Sequence, residues 1–227
     1  MNIARMHTEF KAGFDKSESL SYPDFRPEEI DLFLNKAISS IVKQRYSGNN
    51  LRRESVEETQ KRRDDLRNIT SSKVVTAFTT NVENKPNGTF VDLPTDYWFA
   101  LEEEVSISYY DCFGHTITAR VSVKPITHDR YNKIKLDPFN VPDKIEVVSL
   151  PYEGFKNEII IDGTSTLLAY YIRYIRKPAE VSLSTLTDCD LSEHMHKEVV
   201  DYAVNLAIEN VESPRFQTQG SELLRNE

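Results

Sequence analysis

Glycine is scarce in this chain, 7 in 227 residues, and none falls in a G-x-G-x-x-G or P-loop spacing. The sequence therefore offers no backbone cradle for a dinucleotide or a nucleoside triphosphate. Two cysteines, Cys112 and Cys189, lie far apart without a C-x-x-C spacing; free thiols are expected, not a disulfide framework or a zinc site. No run approaches the ~18 consecutive apolar residues of a membrane span. Met1–His7 carries a charge but no apolar stretch, so no secretory leader is expected and a folded cytosolic product is the default. Positive charge is short as well. A formal net charge of −8 argues against wrapping nucleic acid through phosphate neutralisation, although an acidic surface suits a conduit past which a polyanion slides.

Apolar residues are plentiful, 39% with 11 Phe and 11 Tyr, enough to bury roughly 70–75% of the unfolded surface. Residues 1–25 have only Phe10, Phe14 and Leu20 in loose spacing, a short helix or an arm. From Pro27 a stripe of Ile30, Phe33, Leu34, Ala37, Ile38, Ile41 and Val42 follows i, i+3, i+4 spacing, which predicts a helix. Pro27 fits its first position, Glu28 and Glu29 complement the dipole, and Gly48-Asn49-Asn50 should end it. Leu51–Arg67 reads as a charged rod with six basic and five acidic residues, supported by Glu57–Lys61 and Glu58–Arg62 at i, i+4. Its buried stripe, Leu51, Val56, Leu66 and Ile69, is thin. The plainest reading rests it on the preceding helix; the other uses it as a subunit contact.

From Ser71 the apolar period becomes two. Strands are expected at Val74–Phe78 and Thr89–Leu93, joined by a loop in which Asn87-Gly88 turns. A short helical segment is expected at Leu93–Leu101. Glu104–Tyr110 and Thr116–Lys124 read as strands joined by an Asp111–His115 hairpin, followed by Lys144–Leu150, Glu158–Ile161 and Leu167–Arg176. Pro178 then stops the chain, and a helix from near Ser192 presents Leu191, Met195, Val199, Tyr202, Ala203, Leu206 and Val211. Ser192 or Asp190 would cap it. The fold class is α+β: residues 1–70 an arm and helices, 71–185 an inserted antiparallel β-sandwich or barrel, and 186–227 a helix and tail packing back on the first helices.

Candidate sites are weak. His194 and His196 stand at i, i+2, on different faces of a helix, so no metal is expected. His128-Asp129 lacks a serine or cysteine in a tight turn. Asp188 and Asp190 read as cap and turn residues. Asn68 and Asn87 match glycosylation acceptors that need a secretory route. No catalytic residue and no cofactor is assigned.

Ser21–Ala37 followed by Val42–Asn50 resembles the start of the ring (head–tail connector or adaptor) proteins of crAss-like, podovirus-type bacteriophages. Leu93-Pro-Thr-Asp-Tyr97 resembles that family's turn after the first strands. Lys124–Tyr131 with Asp137–Pro142 resembles its mid-domain segment, and Tyr171–Pro178 with Cys189–Glu212 its strand-to-helix return. The resemblance implies a virion structural protein made in the host cytoplasm, an α+β subunit of a ring, typically of 12 copies, stacked between portal and tail. Its partners would be the portal or neighbouring rings and tail proteins, with DNA passing through unread and no membrane. Assembly contacts would then be Arg52, Arg53, Lys61, Arg62 and Arg63 on the charged rod, and Phe216, Leu223 and Leu224 in the tail. A different reading is a carbohydrate- or ligand-binding β domain that uses Tyr109, Tyr110, Tyr152, Phe155 and Tyr171. An enzyme has no sequence feature in its favour.

Overall fold

The computed structural model describes residues 1–15, 25–47, 60–82, 85–136 and 145–210. The chain forms two compact units, Met1–Ile69 with Pro178–Glu227, and Thr70–Lys177.

The helical unit holds α1 (Ile3–Asp15), α2 (Pro27–Ser47), α3 (Gln60–Leu66) and α5 (His196–Asn210). Asn2 caps α1: its Oδ1 accepts from Arg5 N at 3.0 Å, and Asp188 Oδ1 accepts from Ile3 N at 2.7 Å. Two orphan amides are thereby satisfied at a helix start. Residues 3–15 are thus a packed helix, with Ile3, Met6, Phe10 and Phe14 buried. Phe10 and Phe14 join Phe25 and Phe33 in an aromatic cluster with centroids 4.8 to 6.2 Å apart. α2 begins at Pro27 as its sequence dictates. Glu29, three residues on from Arg26, accepts from the Arg26 N–H at 2.8 Å, half of a capping box. The whole Ile30–Val42 stripe is buried. The expected stop at Gly48–Asn50 and the rod segment 51–59 lie outside the described residues.

α5 buries Val199, Val200, Ala203, Val204, Ala207 and Ile208, a face rotated from the expected one. Tyr202 and Leu206 are only half-buried. Both α1 and α2 pack on α5, so the arc it must bury is wider than one stripe. Gly13 allows the close approach on the α1 side, where an added Cβ would stand 3.1 Å from Val204 Cγ2. Neither proposed cap acts as one. Ser192 donates to Asp64 O at 2.8 Å, and Asp190 accepts from Ala179 N at 3.1 Å; a 3-10 turn at Glu193–Met195 leads into α5. Residues 178–185, grouped with the strands in the sequence reading, run against α2. Asn35 exchanges two bonds with the Val181 backbone, 2.9 and 3.0 Å, and Asp31 accepts from Leu183 N.

The β unit is one eight-stranded sheet in the order β1-β8-β4-β5-β6-β7-β3-β2. The strands are β1 (Thr70–Val75), β2 (Phe78–Val82), β3 (Lys85–Asp92), β4 (Tyr97–Tyr110), β5 (Thr116–Pro125), β6 (Val147–Tyr152), β7 (Lys156–Ile160) and β8 (Thr166–Arg176), with α4 (His128–Leu136) between β5 and β6. The sheet curls on itself. Val91 of β3 and Ile159 of β7 share one core with Val105, Ile107, Tyr170, Ile172 and Tyr174 of β4 and β8, strands that are not neighbours in the sheet. Asn157 Nδ2 donates to Tyr170 Oη at 3.3 Å across the same gap. The two edge strands, β1 and β2, are consecutive in sequence, and the two residues joining them, Thr76 and Ala77, carry the chain from one edge to the other.

The sheet is not wholly antiparallel, because β5 and β6 pair in parallel. The crossover through α4, which the sequence reading missed, makes that pairing possible. α4 also covers a second small core of Ile126, Val148 and Leu150 with Tyr131 and Ile160. Tyr97–Leu101 is strand, not helix. Of the three register shifts between β4 and β8, the two at Tyr97/Phe99 and Ala100/Glu102 break the alternation that would have revealed it. The third, at Ser106/Ile107, pairs Ile107 with Leu167 and turns Leu168 outward, 44% exposed.

Asn87-Gly88 lies inside β3, not in a turn. Gly88 is needed for space: a Cβ there would stand 2.6 Å from the Phe90 ring, and Phe90 is fully buried. Gly88→Val is expected to destabilise the β unit by about 1–3 kcal/mol, the cost of overpacking. A thermal melt reads it, and an unchanged transition would show that the ring relaxes freely. The Asp111–His115 turn, by contrast, forms as expected. Gly114 takes φ 83°, and Asp111 Oδ1 accepts from Phe113 N and His115 N at 2.8 and 2.9 Å. These bonds, the His115 amide first, hold the Asp111 carboxyl below its ordinary range.

Candidate assembly surfaces

The charged rod is built more deeply than its composition suggests. In α3 Lys61 and Arg63 are exposed, whereas Arg62 is buried with Asp65 and Leu66. Arg45 of α2, 2% exposed, lies 3.2 Å from Asp65 Oδ2 through Nε, off the hydrogen-bond axis. Its Nη2 donates to Glu198 of α5. Asp65 Oδ1 also meets His194 Nε2 at 2.8 Å. One guanidinium thus ties three helices together through two carboxylates. Burial raises the Glu198 carboxyl against the opposing pull of Arg45. Sequence reasoning missed this network, since Arg45 stands among apolar positions of α2 and its partners are distant in the chain. Of the expected contacts, Arg52, Arg53, Phe216, Leu223 and Leu224 lie outside the described residues.

The two histidines weighed as a metal pair diverge: His194 meets Asp65, while His196 Nε2 meets Leu191 O at 3.0 Å. Asp188 and Asp190 both accept backbone amides. Among the described residues no group of three His, Cys, Asp or Glu is placed to hold a metal. A part-buried pair that sequence reasoning missed, His7 Nε2 with Asp31 Oδ1 at 2.7 Å, links α1 to α2. Cys112 is exposed and Cys189 buried, and burial pushes the Cys189 thiol up to about 11.

In the β unit the outer face of β1, β8, β4 and β5 carries ion pairs. Arg173 Nη1 meets Glu102 Oε2 at 2.9 Å. Arg120 pairs with Glu104 and lies 4.0 Å over the Tyr171 ring. The hairpin tip is apolar instead, with Tyr110 and Phe113 60% and 82% exposed. The five aromatics of the ligand-binding reading do not converge. Tyr109 packs on the core, Tyr152 on Phe90 at 5.2 Å, and Tyr171 beneath Arg120. Tyr110 and Phe155 stand at opposite ends of the sheet, because β6 runs parallel to β5 away from the hairpin.

Inside the curl, Glu103 faces the core side beside Ile172 and accepts hydrogen bonds from Ser149 and Tyr170. Desolvation raises its carboxyl above the ordinary value, opposed by those two bonds. A raised acid binds its proton more readily when folded, so its cost to stability is absent at acid pH and grows as pH rises through the folded pKa. Glu103→Gln is therefore expected to raise the melting temperature at pH 7, with the gain shrinking toward pH 4. A pH-independent difference would mean the hydrogen bonds, not the charge, decide.

Comparison with known proteins supplies what the geometry lacks. The model of the phage tail ring protein 3/4 family matches residues 1–217. Ring protein 4/5 of Bacteroides phage crAss001 is 22% identical over 228 residues, covering 91% of this chain and 92% of that protein. Ring protein 3 of the same phage is 27% identical over 194 residues, 79% and 83% of the two chains.

Proposed function

The chain belongs to the phage tail ring protein 3/4 family, and from that membership we propose that it is one subunit of a head–tail connector ring. It is a bacteriophage structural protein of the ring type. In the proposed role, 12 copies, the number carried over from the resemblance, close around the genome exit channel between portal and tail. The family match across nearly the whole chain carries the reading. The charge balance supports it, since a chain with net charge −8 gives DNA little to adhere to. Lys61, Arg63 and the segment before them, with Arg52 and Arg53, serve as contacts between subunits or with adjoining proteins, as does the tail with Phe216, Leu223 and Leu224. Arg62, weighed with them as a contact, is buried in α3. Light scattering of the assembled protein and mass spectrometry of purified particles test the proposal. A strictly monomeric protein absent from particles removes it.

A further inference from the structure

Among the described residues the β unit keeps two strand edges open on one layer. Among the described residues β1 pairs only with β8. β5 pairs with β4 from Thr116 to Ser122 and turns to β6 only from Val123 onward. Strands β1-β8-β4-β5 thus form an antiparallel layer with one open edge along residues 71–75 of β1 and another on Thr116–Ser122. The second edge is not covered: Thr116, Ile117, Thr118, Arg120 and Ser122 are exposed, and Ala119 and Val121 half-buried. Neither edge contains proline, a bulge or a charge cluster, the devices that usually block strand addition. Lys73 is the one charge on β1, and Arg120 is already held by Glu104 and Tyr171.

We infer that β1 of one copy pairs with the Thr116–Ser122 edge of the next, so that the layer continues from subunit to subunit. This rests on the ring reading and names the surface that closes the ring. Strand direction supports it. The four strands alternate, so β1 and β5 point in opposite senses, and a neighbour in the same orientation brings its β1 antiparallel to β5. The new pair has the same polarity as every other pair in the layer. Pairing β1 with β1, or β5 with β5, spends a single kind of edge and stops at a two-fold dimer. The β1–β5 pair uses both, is heterologous, and leaves every copy offering the same two edges, which is the condition for a closed ring. Backbone hydrogen bonds supply the affinity in such strand addition, and the flanking side chains set the register.

Cysteine cross-linking in assembled particles tests the inference. Ser72 and Val74 stand on the outer face of β1, through their pairing with Arg173 and Tyr171. Thr116, Thr118 and Ser122 share that face on β5, opposite Tyr110, Ser108 and Glu104. On a Cys112→Ser background, Ser72→Cys or Val74→Cys is combined in turn with Thr116→Cys, Thr118→Cys or Ser122→Cys, sampling the successive registers that keep the outer faces aligned. Cα atoms directly opposite in an antiparallel pair lie about 4.5–5.5 Å apart, within disulfide reach. The expected result is a ladder of covalent multimers on a non-reducing gel for the pair in register, with each single variant remaining monomeric. Particles that contain the chain but give no ladder with any pair overturn the edge pairing and leave the ring reading standing. A single variant that cross-links to dimers also overturns it, in favour of a two-fold contact. Absence of the chain from particles removes both.

Discussion

Arg45→Ala is expected to destabilise the helical unit by about 3–5 kcal/mol, the usual cost of removing one partner from a buried ion pair. Its side chain is 2% exposed and Asp65 is 0% exposed. Truncation would leave the Asp65 carboxylate in a low-dielectric interior with His194 still beside it, and would release Glu198. Denaturant unfolding followed by circular dichroism reads the loss as a lower midpoint with an unchanged slope. The double replacement Arg45→Met with Asp65→Leu should recover much of it, because both charges leave together and apolar volume replaces them. A loss below about 1 kcal/mol for Arg45→Ala, the level of an exposed pair, would mean that water reaches the network and that α3 is held by its other contacts, the Ser192–Asp64 bond among them.

Deleting residues 214–227 is expected to act in the opposite sense, leaving the fold intact and removing assembly. Pro214 ends the run of helix-forming residues, and the segment after it is polar except for Phe216, Leu223 and Leu224. The melting transition should therefore move by no more than about 0.5 kcal/mol in stability, the range of substitutions away from a core, while incorporation into particles falls to background. If truncation unfolds the protein instead, the tail belongs to the helical core and is no docking element.

What the sequence revealed was local. The α2 stripe, Pro27 at its first position and the Asp111–His115 turn were legible because each depends on residues close in the chain. The class, helices before and after a β unit, came from where the apolar period changes at Ser71. Elements governed by distant partners were not legible. Tyr97–Leu101 looked helical because bulges against β8 disrupt its alternation. Gly88 looked like a turn residue, yet its smallness answers to Phe90. Ser192 looked like a cap, yet its hydroxyl reaches Asp64. The Arg45 network joins residues from three helices, and the open edge of β5 emerges only once the strand order is known. The proposed site is made of surfaces and leaves no motif to find, so membership of a family did what spacing arguments had no means to do.

The proposed ring of this chain would sit at the junction of head and tail. An electron cryo-microscopy reconstruction of the portal vertex of particles from the phage that encodes it tests this most directly. The expected density is a closed ring of this chain below the portal, around the channel, with β1 of each copy beside β5 of the next. A vertex in which every ring is accounted for by other chains would contradict it.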